Sequence, residues 1–274
     1  MDHAYQKIVK LLKDISSTPI AEGRTAEIYA WDDHHILKLY RDWCPSDWVE
    51  YEARIARAIY EARIPSPAPG EIVEVNGRRG LTYERLDGIS MLQDMNARPW
   101  MLLKHVRSLA ELQVQINQQS ILGLPSYKDR LSYDIRNTPH LSQDLRDKAL
   151  ALLNALPDGQ NVCHGDYHPG NVIITKAGPI VIDWMTASAG SQWTDVARTS
   201  LLLTIGAKGA GTQVRPMIRL LINLYHRMYL KHYLKLVPDK RNELKKWMPV
   251  IAAARLNEDI APEREALIKM VKEG

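Results

Sequence analysis

Polar and apolar residues alternate along the first part of the chain, as they do in strands with one buried face. The segments AEIYAW and ILKLY flank a polar run, Asp-Asp-His-His, and predict two strands joined by a turn. The segments EIVEV and RRGLTYERL flank Asn76-Gly77, a dipeptide typical of type I′ turns, and predict a hairpin. The first 90 residues therefore contain the strands of a small antiparallel sheet.

Helical spacing interrupts this alternation twice. Residues 4–16 predict a short amphipathic helix, and the segment that follows Asp47 predicts a longer one. Asp47 and Glu50 have the spacing of a capping box, and the prolines at 65 and 67 end the second helix. We expect this helix to pack against the sheet.

The pattern changes after about residue 98, where most segments show helical spacing. The exception is a strand-rich piece at residues 161–184. These patterns predict an α+β, bilobal fold with a sheet-and-helix lobe over residues 1–86 and a larger, mainly helical lobe over residues 87–274. The helical segment 215–237 is apolar around most of its circumference, which favours a core helix over a basic membrane-binding one.

Composition and charge narrow the classes of partner. The chain has 274 residues and a net charge of +4, which suits an anionic ligand, but it has no dense Lys/Arg block of the kind that binds nucleic acid. It has no apolar run of the roughly 20 residues that a membrane span needs. We therefore expect a cytoplasmic protein with no nucleic-acid or membrane partner, and the sequence does not distinguish a monomer from a dimer.

Two charged residues fall on otherwise apolar faces. Lys38 shares its strand face with Ile36 and Tyr40, and Glu52 lies on the apolar face of the helix after Asp47. An unpaired charge is costly in such a position. A Lys38–Glu52 ion pair would satisfy both.

The loop CHGDYHPGN, residues 163–171, concentrates polar chemistry in a short stretch. Asp166 is its single carboxylate, with His164 and His168 on either side. The next segment reads as a hairpin that turns at residues 176–178, which would place Asn171 opposite Asp183. An amide oxygen facing a carboxylate suits Mg²⁺.

The motif HGDYHPGN followed by VIDW resembles the aminoglycoside phosphotransferase and choline kinase-like family, which has a protein-kinase-like fold. The order of the strand lysine, helix glutamate, Asp-x₄-Asn loop and strand aspartate agrees with that family from about residue 20 to residue 200. The resemblance implies a phosphotransferase with an alcohol group as acceptor, and ATP and Mg²⁺ as cofactors.

The resemblance also implies roles for the polar residues. Asp166 would orient the acceptor hydroxyl and accept its proton. Asn171 and Asp183 would bind Mg²⁺, while Lys38 would contact the α- and β-phosphates and Glu52 would position it.

Other positions would support the site. His164 would brace the loop, and His168 lies nearby without an assigned role. Asp195 would support the catalytic loop or, alternatively, cap its helix. The loop that covers the phosphates would include Gly23, Arg24 and Thr25, although it has one glycine where protein kinases have three.

The resemblance places the adenine-binding segment at LTYERLDG. Tyr83 would lie at the back of the purine pocket, and the carbonyl of Glu84 and the amide of Leu86 would bind the adenine edge. A bulky tyrosine there keeps GTP open as an alternative to ATP.

The acceptor is predicted as a hydroxylated, amine-bearing small molecule, such as an aminoglycoside-type antibiotic or an amino alcohol. Glu258 and Asp259, before Pro262, are candidate contacts for its ammonium groups, and a solvated acidic helix end is the alternative. Two other functions stay open at this point. One is a nucleotide-binding pseudokinase, and the other is a metallohydrolase that uses His164, Asp166 and His168 as ligands.

Overall fold

The chain divides into two units that differ in secondary structure. The computed structural model describes residues 18–206, 216–237 and 241–274, so the helix predicted over residues 4–16 lies outside the described residues. The smaller unit extends to Ile89 and also takes in residues 173–185, and the larger unit comprises Ser90–Val172 and Thr186–Gly274. The α+β fold with a sheet-containing unit and a mainly helical unit is confirmed.

The smaller unit is built on a five-stranded antiparallel sheet in the order β1-β2-β3-β5-β4. Its strands are β1 Ala21–Glu22, β2 Ala26–Ala30, β3 His35–Tyr40, β4 Pro69–Val75 and β5 Arg78–Glu84. Asn76 and Gly77 join the last two strands with φ angles of 53° and 78°, both in the left-handed region, as a type I′ turn requires. The predicted strand pairs are therefore confirmed.

One helix, α1 Trp48–Glu61, covers a face of this sheet. Val49, Ala53 and Ala56 of α1 pack with Leu81 and other sheet residues in a buried apolar cluster. The predicted capping box is wrong, because Asp47 makes no side-chain hydrogen bond to the helix. The Glu50 carboxylate instead accepts a 2.5 Å hydrogen bond from Arg79.

The strand-rich piece divides between two further sheets. Strands β6 Gly88–Ser90, β8 Val172–Thr175 and β9 Gly178–Val181 form one, and β7 Asn161–Cys163 pairs with β10 Ser188–Gly190 in the other. The hairpin of β8 and β9 groups with the smaller unit, whereas the boundary drawn from sequence left it in the range 87–274. The pairing of β8 with β6 and a hydrogen bond from the Val181 amide to the Pro65 carbonyl account for this difference.

The larger unit is mainly helical. Its helices are α2 Met91–Ala97, α3 Leu102–Asn117, α4 Tyr127–Asn137, α5 Gln143–Ala155, α6 Gln192–Thr204, α7 Pro216–Leu236, α8 Arg241–Arg255 and α9 Arg264–Glu273. Helix α8 packs against α4, α5, α6 and α9, and α7 packs against α3. Trp247 and Ile251 of α8 are fully buried, which places α8 in the core of this unit.

Helix α7 departs from the expectation of a core helix. Tyr225, Tyr229 and Tyr233 are buried, but Met217 and Leu220 in its first two turns are exposed. Among the described residues, the core interpretation therefore holds for the face that carries the three tyrosines and not for the first two turns. Within the described residues, no helix combines the length and apolar character needed to cross a membrane.

Candidate active site

Lys38 and Glu52 form the ion pair that their apolar surroundings predict. Lys38 Nζ lies 2.9 Å from Glu52 Oε1, and the Glu52 side chain is 1% exposed. Lys38 comes from the centre of β3 and Glu52 from the sheet-facing side of α1, so the packing of helix on sheet brings the two charges together. The pair satisfies a carboxylate that would be costly to bury alone.

The sequence did not indicate that two tyrosine hydroxyls also bind Glu52. Tyr83 donates a 2.7 Å hydrogen bond to Glu52 Oε1, and Tyr40 donates to Glu52 Oε2. Both tyrosines belong to the buried cluster between sheet and helix. In the sequence, Tyr40 has the pattern of an ordinary core aromatic and Tyr83 was assigned to the purine pocket, so only the packing of the strands against α1 reveals their contacts with Glu52.

Asp183 gives the smaller unit a second carboxylate beside Lys38. The distance from Lys38 Nζ to Asp183 Oδ1 is 2.9 Å, and the Asp183 side chain is 47% exposed. Its φ of 65° lies in the left-handed region, which Asp and Asn adopt more readily than most residues. Burial alone would lower the pKa of Lys38, but the charges of Glu52 and Asp183 outweigh it and hold that pKa well above its usual value.

The predicted phosphate-covering loop is a tight turn between β1 and β2. The amide of Gly23 donates to the Ala26 carbonyl over 2.8 Å, and Arg41 binds the carbonyls of Gly23 and Thr25. Gly23 and Arg24 are exposed. A phosphate-binding role for Gly23, Arg24 and Thr25 stays a prediction.

The predicted adenine-binding segment begins at the end of β5. The Glu84 amide donates to the Ala68 carbonyl over 2.9 Å, and the Arg85 amide donates to the His34 carbonyl over 2.7 Å. These bonds fix the backbone on either side of the Glu84 carbonyl. The adenine contacts assigned to Glu84 and Leu86 stay predictions.

In the larger unit, Asp166 is a partly exposed carboxylate among basic side chains. Its Oδ1 lies 3.6 Å from Arg198 Nη2, and its Oδ2 lies 3.7 Å from His168 Nε2. Burial would raise the pKa of Asp166, but His168, Arg198 and His164 together hold it well below its usual value. Asp166 is therefore ionised across the neutral range.

Asn171 is held beside this carboxylate. Its Nδ2 donates to the Asp166 carbonyl over 3.0 Å and lies 3.4 Å from Asp166 Oδ2. His168 caps the short 3₁₀ helix Pro169–Asn171 by accepting from the Gly170 amide over 3.0 Å. Asp166 and Asn171, five residues apart in the sequence, are therefore in direct contact in the structure.

Two buried residues brace the loop that carries Asp166. His164 is fully buried and its Nδ1 accepts from the Asp166 amide over 3.2 Å. Asp195 is also fully buried, and its Oδ1 accepts from the Gly165 amide over 2.8 Å. Ser191, not Asp195, is the N-cap of α6, so the helix-cap alternative is excluded.

Asp195 joins the loop to two amide side chains of α3. Its Oδ2 accepts from Gln113 over 3.0 Å and from Asn117 over 3.1 Å. Neither amide was identified from the sequence, because each lies about 80 residues away from Asp195 along the chain. Gln113 and Asn117 are both fully buried, and each amide nitrogen has one other acceptor, the Thr199 hydroxyl for Gln113 and the Val162 carbonyl for Asn117. The Asp195 carboxylate therefore accepts the remaining hydrogen of each amide.

We expect Asp195→Ala to lower the free energy of unfolding by about 3–4 kcal/mol, because it leaves several buried donors unsatisfied. Urea unfolding followed by circular dichroism measures the change. Asp144→Ala, at an exposed position in the first turn of α5, is the control and should change stability by less than about 1 kcal/mol. Equal stability of the two variants would contradict a bracing role for Asp195.

Arg198 belongs to the candidate site, and sequence reasoning missed it. It lies three residues after Asp195 on α6, donates from Nε to the Gly165 carbonyl over 3.1 Å, and reaches Glu258 Oε1 from Nη2 over 2.6 Å. A charge in the middle of a helix, directly after the apolar residues Val196 and Ala197, was the available signal. Arg198 therefore connects the loop of Asp166 to Glu258.

The two candidate acceptor contacts differ in their surroundings. Glu258 is paired with Arg198 and also with Arg255, whose Nη1 lies 2.9 Å from Oε2. Asp259 is 61% exposed, with His140 and Arg264 at 2.6 and 2.7 Å. The structure thus shows Glu258 as part of an internal ion-pair chain and Asp259 as an exposed carboxylate.

The metallohydrolase alternative finds no support in the geometry of the His164, Asp166 and His168 triplet. The Nδ1 atoms of His164 and His168 already accept backbone amides, and His164 is fully buried. Across the described ranges, no group of three or more His, Cys, Asp or Glu side chains is arranged to hold a metal ion. Cys44 and Cys163 are both free thiols.

Solved structures of antibiotic-modifying enzymes share this fold. A thermostable mutant of aminoglycoside phosphotransferase APH(4)-Ia, in a ternary complex with AMP-PNP and hygromycin B, is 15% identical, with 100% of this chain and 99% of that chain covered and a TM-score of 0.66. Amicoumacin kinase hAmiN in complex with AMP-PNP, Ca²⁺ and Ami is 13% identical, with 100% of this chain and 93% of that chain covered and a TM-score of 0.63.

Aminoglycoside-3'-phosphotransferase of type VIII is 16% identical, with 94% of this chain and 99% of that chain covered and a TM-score of 0.59. No curated protein matches the chain. The model of the phosphotransferase enzyme family matches residues 16–230, which is more than half of the sequence. The chain therefore belongs to the phosphotransferase enzyme family, and it is a phosphotransferase that acts on an alcohol group.

Proposed function

We propose that this phosphotransferase transfers the γ-phosphate of ATP to a hydroxyl group of an amine-bearing small molecule, such as an aminoglycoside-type antibiotic or an amino alcohol. The observation that carries the proposal is the Asp166 carboxylate. It is partly exposed and ionised, and it lies on a loop whose backbone amides donate hydrogen bonds to His164 and Asp195. Relatives with the same fold bind AMP-PNP together with an antibiotic.

Asp166 orients the acceptor hydroxyl and accepts its proton in this proposal. Because basic neighbours lower the pKa of Asp166, the carboxylate is a weak base, so positioning of the hydroxyl is its larger contribution. Phosphoryl transfer has little covalent chemistry for the protein to perform and depends on positioning and charge neutralisation. A carboxylate that is a weak base but is fixed in position is sufficient for such a reaction.

Lys38, held by Glu52, contacts the α- and β-phosphates, and Asn171 and Asp183 are the proposed Mg²⁺ ligands. Their chemistry fits a hard cation: Asp183 offers a half-exposed carboxylate, and the amide nitrogen of Asn171 faces Asp166, which leaves its Oδ1 as an oxygen donor. A bound Mg²⁺ would neutralise charge on the phosphates. The Gly23–Thr25 turn, Glu84 and Leu86 complete the proposed nucleotide contacts.

The experiment that tests the proposal is an assay of nucleotide consumption across a panel of aminoglycosides, amino alcohols and other hydroxylated metabolites, with ATP and GTP compared. We expect acceptor-dependent ADP release and a higher kcat/KM for ATP. Binding of nucleotide without turnover on any acceptor would favour the pseudokinase alternative. A strong preference for GTP would overturn the choice of donor.

For an amine-bearing acceptor, we expect the double variant Glu258→Gln/Asp259→Asn to raise KM at least about tenfold, because a carboxylate–ammonium contact that the bound acceptor shields from water contributes about 1.5–3 kcal/mol, and an exposed one far less. The net charge of +4 provides no general attraction for a cation, so the attraction must be local. Glu265→Gln, at an exposed position in the first turn of α9, is the control. KM values measured by initial rates check the prediction.

The single variants separate the two carboxylates. Glu258→Gln should also lower the melting temperature, since Arg198 and Arg255 lose a charged partner, while Asp259→Asn should not. An unchanged KM in the double variant would remove both residues from the acceptor site.

A further inference from the structure

The two hydroxyls that bind Glu52 are not accounted for by the roles assigned so far. We propose that Tyr40 and Tyr83 are positioning residues that hold the Glu52 carboxylate in place, so that Lys38 is set for the nucleotide before the nucleotide arrives. This inference rests on the proposed function, because it assigns the two tyrosines to the nucleotide-binding half of that site.

The sheet directs both hydroxyls to one carboxylate. Tyr40 follows Lys38 by two residues in β3 and therefore points to the same face, and Tyr83 lies on the neighbouring strand β5, opposite Ile36. The Tyr83 hydroxyl reaches Glu52 Oε1 over 2.7 Å, and the Tyr40 hydroxyl reaches Oε2. Each carboxylate oxygen thus has a tyrosine donor of its own.

Lys38 alone is a poor anchor for Glu52. Its ammonium group divides its hydrogens between Glu52 and Asp183, at 2.9 Å each, and it must turn part of them toward the phosphates when a nucleotide binds. The tyrosines are buried core residues of rigid strands and do not have to move. They keep the buried carboxylate hydrogen-bonded while the lysine redirects its donors.

Neutral donors suit this task better than a second cation would. A phenol hydroxyl satisfies a lone pair of Glu52 without cancelling its charge, so the attraction between Glu52 and Lys38 persists. Burial and the adjacent Glu52 raise the pKa of Tyr83, which keeps the phenol protonated and therefore a donor. The Tyr40 ring also lies 5.8 Å from Lys38 Nζ, which adds a cation–π contact.

The test is the affinity of the full chain for AMP-PNP in the presence of Mg²⁺, measured by calorimetry for Tyr40→Phe, Tyr83→Phe and the double variant. Phenylalanine keeps the ring in the core and removes one oxygen. We expect the double variant to raise Kd at least about tenfold. The matched control is Tyr29→Phe, whose hydroxyl binds Glu27 in the same unit over 3.0 Å and which should leave Kd within about twofold.

A double-mutant cycle distinguishes positioning from a structural effect. If Tyr83 acts through Glu52, Tyr83→Phe should change Kd in the wild-type background and have little further effect in a Glu52→Gln background. Melting temperatures are measured for every variant. A lowered melting temperature with Kd unchanged would show that the hydroxyls serve stability alone and would overturn the inference.

Two outcomes separate this inference from the proposed function. A wild-type chain that binds AMP-PNP, with a double tyrosine variant that binds within about twofold of it, overturns the positioning role and leaves the proposed function standing. A wild-type chain that binds neither AMP-PNP nor ATP overturns both.

Discussion

Asp166→Asn is expected to lower kcat on the true acceptor by about a thousandfold, because the substitution removes the group proposed to orient the hydroxyl and accept its proton. Nucleotide affinity should stay within about twofold of wild type, since the assigned contacts of Asp166 are with the acceptor. Initial rates and calorimetry with AMP-PNP measure the two quantities.

The structure explains why this substitution should leave the loop intact. The hydrogen bonds that hold this loop involve its backbone atoms. The Gly165 amide donates to Asp195, the Asp166 amide donates to His164, and the Asp166 carbonyl accepts from Asn171. None of these bonds involves the carboxylate that is changed. Asp144→Asn, at an exposed site on α5, is the control for a generic loss of charge. A kcat near the wild-type value would show that Asp166 is not the base.

Asp183→Asn is expected to weaken Mg²⁺-dependent binding of nucleotide by at least about a hundredfold, because residues that only orient metal ligands already account for ten- to a hundredfold. Asparagine tolerates the left-handed backbone of this position, so the variant changes charge with little added strain. Alanine at the same φ would add strain and confuse the result.

The dependence on metal provides the internal control for Asp183. Affinity measured with EDTA should not fall in Asp183→Asn, since the proposed role of the carboxylate is to hold the cation and its neutralisation leaves Lys38 free for the phosphates. A melting curve should also change little, because the side chain is about half exposed. Equal affinities in Mg²⁺ would contradict the assignment of Asp183 as a ligand.

Local chemistry explains which features could be predicted from the sequence. The Asn76-Gly77 turn follows from two residues that adopt positive φ readily, whatever surrounds them. The Lys38–Glu52 pair was predictable because each charge lay on an apolar face and needed an opposite charge nearby. The loop of Asp166 was recognisable because its residues are contiguous.

The failures and omissions come from contacts between distant residues. The capping box of Asp47 and Glu50 does not form because Arg79, on a strand that follows in the chain, takes the glutamate. The pairing of Arg198 with Glu258 joins residues 60 positions apart. Spacing along the chain carries no information about such partners, so they appear only in the folded unit.

Lys38 is paired with Asp183, the proposed metal ligand, and is also the proposed phosphate contact. The affinities for metal and for nucleotide should therefore depend on each other. The Lys38 ammonium already serves as the counter-ion of Asp183, so a divalent cation that reaches this carboxylate competes with an internal cation. In the proposed site, phosphates that attract Lys38 would weaken its hold on Asp183 and so lower the cost of metal binding. By reciprocity, a cation at Asp183 would release Lys38 toward the phosphates, so we expect the two ligands to bind with positive cooperativity.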